Sequence, residues 1–491
     1  MSSLEALKRI DFVHDEPVNE LSQEICDIPE LQHLSQVEIP SPLKDPVSDD
    51  ALAHRDFDAS SFWQVIPAFA KVSREEFLDH RFQVKNSAKS IEQLKTLIAP
   101  LVSPEFLQDV ENGLERAPMN LRFSPYLLSL VDWKNPYDDP IRIQFIPVAS
   151  RLLPDHPKLS FDSLHEQDDA PVPNLVHRYY DKALFLPLDV CPVYCRFCTR
   201  SYSIGPEAAH GKLASFRASP KEWQQAFAYL ASRPEIEDVV ISGGDTYNLS
   251  ASRIRLIGET LLAIPHIRRL RFASKGPAVM PMKILTDTDW SQALIDIVDM
   301  GRQRGKEVAL HTHFNSVNEI TDITREAMEH LFKNGVTVRN QSVLIRGVND
   351  DPEAMVNLVR QLSYMNVQPY YVYQHDMVKG VEEMRTRVST SLEIERAVRG
   401  STAGFNTPTF VTDVPGGGGK RDVHSYDYYD EITGVSVYRS PAVDEEKVYL
   451  YFDPIELLPE EGQRRWADSS QHDAIVREAV EAAGLSHLTL A

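Results

Sequence analysis

Apolar residues in the middle of the chain come in short runs, and segments of helical period separate them. The run over 183–188 is bounded by polar residues and reads as a buried strand. After a long loop, Ser219-Pro220-Lys221-Glu222 has the residues of a capping box with proline at the first helical position. A helix to about Arg233 is predicted there. Val239-Val240-Ile241 is the next strand, and Ser250 is placed to cap a helix reaching about Ala263. The alternation continues with a strand over 267–272, a helix over 290–304, a strand over 308–311 and a helix over 320–334 that stops at Gly335. A strand over 336–343, a helix over 351–364, a strand over 369–373 and a helix over 392–399 complete it. Six strand–helix units in a row predict an α/β fold with a parallel sheet and right-handed crossovers. They are too few for a closed eight-fold barrel, so a partial barrel and an open doubly wound sheet both fit. In either one, ligands bind at the C-terminal ends of the strands. The unusual residues follow those ends: three cysteines after strand one, Gly243-Gly244-Asp245 after strand two, and Ser274 after strand three. His311 and His313 end strand four, Gln341 lies in strand five, and Asp376 follows strand six. This clustering points to one large site.

The flanks are less regular. Residues 1–60 are rich in Pro, Asp, Glu and Ser and read as a loosely packed arm. A mostly helical and extended region is expected over 61–170, with short helices broken by Pro100 and Pro104 and extended connectors over 118–176. The core is expected over 171–425. A small α+β extension is expected over 426–491, with strands over 435–438 and 448–452 and a last helix over 471–483.

Composition narrows the classes. With 42% hydrophobic and 25% charged residues the chain is an ordinary globular one. Its 51 Lys and Arg against 72 Asp and Glu give a net charge of −21. Such a surface repels nucleic acid and anionic lipid. No apolar run is long enough to span a bilayer, and no secretory h-region is visible. A cytoplasmic protein is the expectation.

Four cysteines make no disulfide framework. Cys26 stands alone, whereas Cys191, Cys195 and Cys198 fall in one loop, DVCPVYCRFCTR over 189–200. Three thiolates at this spacing can ligate three corners of a [4Fe–4S] cluster, leaving one iron open for another ligand. A zinc site of three cysteines and a histidine, or free thiols, are the alternatives. The sequence here resembles the lysine 2,3-aminomutase family of radical S-adenosylmethionine enzymes. The matching stretches are HRYYDKALFL (177–186), CPVYCRFCTR (191–200), ISGGD (241–245), HTHFN (311–315), NQSVLIRGVND (340–350), QPYYVYQHD (368–376) and FVTDVPGGGGK (410–420). They run in order over roughly residues 75 to 425.

The resemblance implies a partial (βα)6 TIM-like barrel, a [4Fe–4S] cluster on Cys191, Cys195 and Cys198, S-adenosylmethionine on the open iron, and pyridoxal 5′-phosphate. It makes Lys420 the Schiff-base lysine; a flexible turn is the alternative, and the nucleotide-loop pattern fails at Val414 and Arg421. It places Arg178 and Lys182 near the cofactor phosphate and Tyr179 on its ring, with Lys182 standing where arginine is expected. Gly243, Gly244 and Asp245, with Ser274, His313 and Gln341, are implied around S-adenosylmethionine. Arg200 is implied to hold the substrate carboxylate, and Asp376 and Asp413 the side-chain ammonium of a cationic amino acid. Two anions in a dry pocket raise each other's pKa unless a cation sits between them, which suits lysine. The implied reaction is an isomerisation: a 5′-deoxyadenosyl radical takes a hydrogen from the β-carbon, and the 2-amino group moves to C3 to give β-lysine. Arginine, ornithine or a modified lysine are alternative substrates. A flavodoxin- or ferredoxin-like electron donor and a homo-oligomer are expected. His311 and His313 as a hydrolase metal pair would need further ligands at other strand ends. The chain lacks a C-terminal cysteine cluster, so the zinc site that supports subunit contacts in some family members cannot be built.

Overall fold

A computed structural model describes residues 29, 58–205 and 219–491. The arm and Cys26 therefore lie outside the described residues, Pro29 and the last residues of that arm excepted.

Nine strands form one curved sheet in sequence order: β1 (Leu175–Tyr179), β2 (Lys182–Phe185), β3 (Asp238–Ile241), β4 (Arg269–Ala273), β5 (Glu307–Thr312), β6 (Thr337–Val343), β7 (Val367–Tyr373), β8 (Thr409–Val414) and β9 (Gly419–Asp422). From β2 to β8 every pairing is parallel. Antiparallel β1 and β9 form the two edges. All six expected strand–helix units are present, and a seventh parallel strand, β8, follows them. The sheet curls until its edges meet: the Lys420 amide N–H in β9 donates to the Tyr179 hydroxyl in β1 at 2.7 Å. The architecture is a partial barrel.

Alternation along the strands explains how the barrel is both stable and hollow. Val239 and Ile241, Leu270 and Phe272, and Val308 and Leu310 face outward and are fully or almost fully buried. They pack on helices that present Trp223, Ile254, Ile257, Leu261, Trp290, Leu294 and Ile297. Each such aliphatic side chain contributes about 2 kcal/mol by leaving water. The residues between them (Val240, Arg271, His311, Gln341, Tyr371) point inward and line a cavity.

The helix starts follow capping chemistry, with departures from the sequence reading at two serines and three prolines. Asp351 accepts from the amides of Glu353 and Ala354, with Pro352 next in line, and Asp287 accepts from Trp290. Ser219 stands at the N-cap of the helix Pro220–Ser232, but its side chain makes no capping bond. Ser250 likewise makes none, because its hydroxyl pairs with Ser252 at 3.0 Å. Pro104 opens the helix Pro104–Arg116 where a break was expected. Pro125 and Pro140 open short buried helices, Pro125–Leu130 and Pro140–Phe145, inside the expected connectors. The physical reason is shared: a side chain before the proline (Ser103, Ser124, Asp139) caps the helix, and proline fits its first position.

After β9, a second sheet holds β10 (Tyr428–Asp430), β11 (Val435–Ser440), β12 (Asp444–Phe452) and β13 (Thr489–Leu490), and the helix His472–Ala482 packs on it. No helix among the described residues is long and apolar enough to cross a membrane.

Candidate active site

The barrel interior holds a cavity of about 600 Å³ that runs from the cysteine loop to the opposite strand ends. All the residues singled out from the sequence line it except Gly243. Cys191, Cys195, Cys198 and Arg200 lie on the loop after β2, and Gly244, Asp245, Ser274, His313 and Gln341 on the next four strands or just beyond them. Arg178, Tyr179 and Lys182 come from β1 and β2, Asp376 from the loop after β7, and Asp413 and Lys420 from β8 and β9.

The three cysteines are unpaired thiols. Burial pushes all three thiol pKa values up; for Cys191 the negative charges of Asp245 and of the other two thiolates add to it. Such a trio is a poor set of free thiolates and a good set of ligands, because bound iron supplies the missing positive charge. Among the described residues no three His, Cys, Asp or Glu side chains converge as they would around a single metal ion. His311 and His313 are thus without the further ligands a hydrolase pair needs. His313 stacks on Phe197 of the cysteine loop, with centroids 5.3 Å apart, and burial holds its pKa well below the usual value. Gln341 Nε2 lies 3.4 Å from His311 Nδ1.

Gly243 and Gly244 act on the loop itself. Gly244 N–H donates to the Leu188 carbonyl at 2.6 Å, and Asp245 N–H donates to Val190 at 3.1 Å. A β-carbon on Gly243, whose φ is +88°, would meet the Leu188 oxygen at 2.2 Å; one on Gly244 would meet the Val190 amide at 2.5 Å. Glycines there let the base of the cysteine loop lie against the end of β3. Asp245 is pinned too, accepting from Tyr247 N–H and Lys275 N–H at 2.8 Å each. Burial raises its pKa to about 6. The Ser274 hydroxyl accepts from Gly276 N–H at 2.8 Å.

At the far side Lys420 Nζ lies 3.0 Å from Asp413 Oδ2. Burial opposes its charge most strongly, but Asp413, Tyr373 and Tyr179 together outweigh burial and hold the Lys420 pKa well above its ordinary value. Asp376 is buried, and burial followed by the charge of Asp413 pushes its pKa well up. The Oδ1 atoms of both aspartates are buried with no hydrogen-bond partner. Two buried carboxylates with open acceptors are chemically able to accept from an ammonium.

Arg178 Nε donates to Asp169 at 2.6 Å, and its NH2 group donates to the Leu164 carbonyl. Lys182 Nζ pairs with Asp181 at 2.7 Å and lies 4.8 Å from the centre of the Tyr179 ring. Together they set two basic side chains, each paired with an aspartate, beside an aromatic face at this end of the cavity.

Several cavity residues went unnoticed in the sequence. Glu166 takes Arg200 in a two-point pair at 2.8 Å for each contact and accepts from the Tyr202 hydroxyl at 2.9 Å. Burial would raise the Glu166 pKa, but Arg200 and Tyr202 outweigh it and lower it. The pair uses Nε and NH2 of the Arg200 fork and not NH1. Lys275 bonds the His313 carbonyl and the fully buried Glu319, both at 2.8 Å. Glu166 lies in an aperiodic stretch that offers no signal. Lys275 does carry a signal, as a basic residue next to Ser274 at a strand end.

No protein-family model matches the chain. It is 39% identical to L-lysine 2,3-aminomutase of Acetoanaerobium sticklandii over 359 residues, 72% of this chain and 80% of that one. Against L-lysine 2,3-aminomutase of Clostridium subterminale it is 40% identical over 358 residues, again 72% and 80%. Against glutamate 2,3-aminomutase of Clostridioides difficile the identity is 31% over 360 residues, 73% and 79%. Similarity at this level over four-fifths of proteins that carry one name decides the matter of kinship: the chain belongs to the lysine 2,3-aminomutase family.

Proposed function

We propose that the protein is an isomerase, a radical S-adenosylmethionine aminomutase that moves the 2-amino group of L-lysine to C3 and releases β-lysine. The observation that carries the choice of substrate is the pair Asp376 and Asp413. Each has one buried, unpartnered carboxylate oxygen, and both line the cavity that holds the three cysteines and Lys420. A glutamate side chain brought to that pair would set a further carboxylate against two buried ones, whereas the lysine ammonium offers a cation to their open oxygens.

The cofactors follow from the donor set and from kinship. Cys191, Cys195 and Cys198 would hold three irons of a [4Fe–4S] cluster, and S-adenosylmethionine would take the fourth beside Asp245, Ser274, His313 and Gln341. Lys420 supplies the amine that holds pyridoxal phosphate, with Arg178 and Lys182 as charge partners for its phosphate and Tyr179 against its ring. When bound, these groups supply a carbon radical able to take hydrogen from an unactivated C–H bond, and a carbonyl that carries the migrating nitrogen. The protein positions and shields. Asp376 and Asp413 fix the far end of lysine by its charge. Arg200 takes the carboxylate with the edge of its guanidinium that Glu166 leaves free. Holding the substrate at both ends fixes C2 and C3 between the two cofactor positions. The apolar layer behind the strands keeps water from reaching the cavity through the sheet. A one-electron donor of flavodoxin or ferredoxin type, a homo-oligomer and a cytoplasmic location complete the proposal.

The test is anaerobic reconstitution with iron, sulfide, S-adenosylmethionine, pyridoxal phosphate and a reductant, followed by product analysis with lysine, arginine, ornithine and glutamate in parallel. The proposal expects β-lysine from lysine alone and none from Lys420→Ala. Faster turnover of arginine or ornithine would move the assignment to that substrate. No β-amino acid from any of them would end it.

A further inference from the structure

The C-terminal sheet touches the cavity walls from behind at two places, and each place backs a residue of the site. In β12 the Tyr451 hydroxyl donates to the His375 carbonyl at 2.8 Å and accepts from Gln374 Nε2 at 3.2 Å. His375 is fully buried, and its Nδ1 lies 2.8 Å from the carbonyl oxygen of Asp376. Asp376 Oδ1 has no hydrogen bond of its own. What aims that carboxylate is the backbone on which it stands, and Tyr451 holds that backbone. The second contact is at the glycine turn before Lys420. The Ser440 hydroxyl of β11 donates to the Gly418 carbonyl at 2.5 Å. The Tyr449 ring lies so close that a β-carbon on Gly418 would approach it to 2.7 Å. From the barrel side, Tyr179 holds the Lys420 amide. The turn is thus gripped from both faces.

We infer that the C-terminal sheet is a positioning device with two separable outputs: Tyr451 sets the carboxylate that receives the substrate ammonium, and Ser440 sets the turn that presents Lys420 to pyridoxal phosphate. The inference rests on the proposed roles of Asp376 and Lys420. It gives the extension a part in ligand binding. Both residues are buried and outside the cavity lining, so they act through Asp376 and Lys420 and touch no ligand.

The experiment uses the full chain with its cluster reconstituted and needs no turnover. Pyridoxal phosphate is titrated by the absorbance of its linkage to lysine, and L-lysine by the change it causes in that absorbance. Thermal midpoints report folding. Tyr451→Phe is expected to raise the half-saturation concentration of lysine about tenfold, the worth of one buried hydrogen bond, and to leave that of pyridoxal phosphate within about twofold. Ser440→Ala is expected to do the reverse. Ser440→Thr, which keeps the hydroxyl, should restore cofactor binding, and Tyr449→Leu probes the same turn should Ser440→Ala unfold. A plain structural role predicts lowered midpoints with both affinities moving together, and that result, or no change in either affinity, would overturn the inference. The wild type controls for the reading beneath it: absence of any pyridoxal linkage or lysine response there would defeat the proposed function itself.

Discussion

Removing the charge of Asp413 tests the site most sharply, because two groups depend on it in opposite ways. Asp413→Asn keeps the shape and removes the anion that lies 3.0 Å from Lys420 Nζ and beside Asp376. Two unit charges at that distance attract by about 5 kcal/mol at an effective dielectric of about 20. Desolvation cancels part of this, and a charge-assisted hydrogen bond nets about 1.5–3 kcal/mol. The substrate ammonium would lose a contact of that size. The half-saturation concentration of lysine should therefore rise by about 10- to 150-fold. Lys420 moves the other way. Its pKa is held up by Asp413 against burial, so the variant lowers it and enlarges the fraction of free amine. Covalent capture of pyridoxal phosphate should then begin at lower pH than in the wild type. Absorbance titrations of cofactor against pH, and of lysine at fixed pH, measure both. Asp376→Asn is the control, since it should weaken lysine while leaving the partner of Lys420 in place. An Asp413→Asn protein with wild-type lysine affinity and an unmoved cofactor pH profile would refute the reasoning.

Other consequences are equally concrete. Glu166→Gln exchanges one acceptor of the Arg200 pair for a donor; breaking such a buried pair costs about 3–5 kcal/mol, so the thermal midpoint should fall and KM for lysine should rise more than kcat falls. Gly244→Ala forces a methyl group against the Val190 backbone at about 2.5 Å, an overpacking worth about 1–3 kcal/mol, and should lower iron per chain after reconstitution. Asp453, buried beside Tyr429 and outside the cavity lining, has its pKa raised by burial from 3.8 to about 6. The folded chain therefore holds a proton that the unfolded chain has lost, and stability falls as pH rises from about 4 to about 6, by at most about 3 kcal/mol. Asp453→Asn should flatten that part of the profile of thermal midpoint against pH; an unchanged slope would contradict it.

The barrel was legible because its outer face is apolar at every second position. Val239, Ile241, Leu270 and Phe272 mark β3 and β4 in the sequence to within about two residues of where they lie. The three barrel strands without a sequence signal, β1, β8 and β9, are those whose residues serve the cavity. Arg178 and Tyr179 interrupt the apolar pattern of β1, and Thr412 and Asp413 that of β8. Lys420 sits in a four-residue β9 that follows a run of glycines. Function erased the periodicity there. Motif residues were found by chemistry and fell together in space. Glu166 could not be found that way, because an acid in an aperiodic segment carries no sign of the arginine 34 positions on that it will meet. The caps at Ser219 and Ser250 failed for a different reason: a capping sequence offers the bond, and local geometry or a neighbour such as Ser252 decides whether it forms.

The central claim is that Cys191, Cys195 and Cys198 carry a four-iron cluster with one iron free for an outside ligand. Electron paramagnetic resonance on reduced, oxygen-free protein, with iron counted on the same sample, tests it directly. The account predicts close to four irons per chain and a [4Fe–4S]⁺ signal that changes shape when S-adenosylmethionine is added. Zinc in place of iron, or a cluster signal indifferent to S-adenosylmethionine, would contradict it.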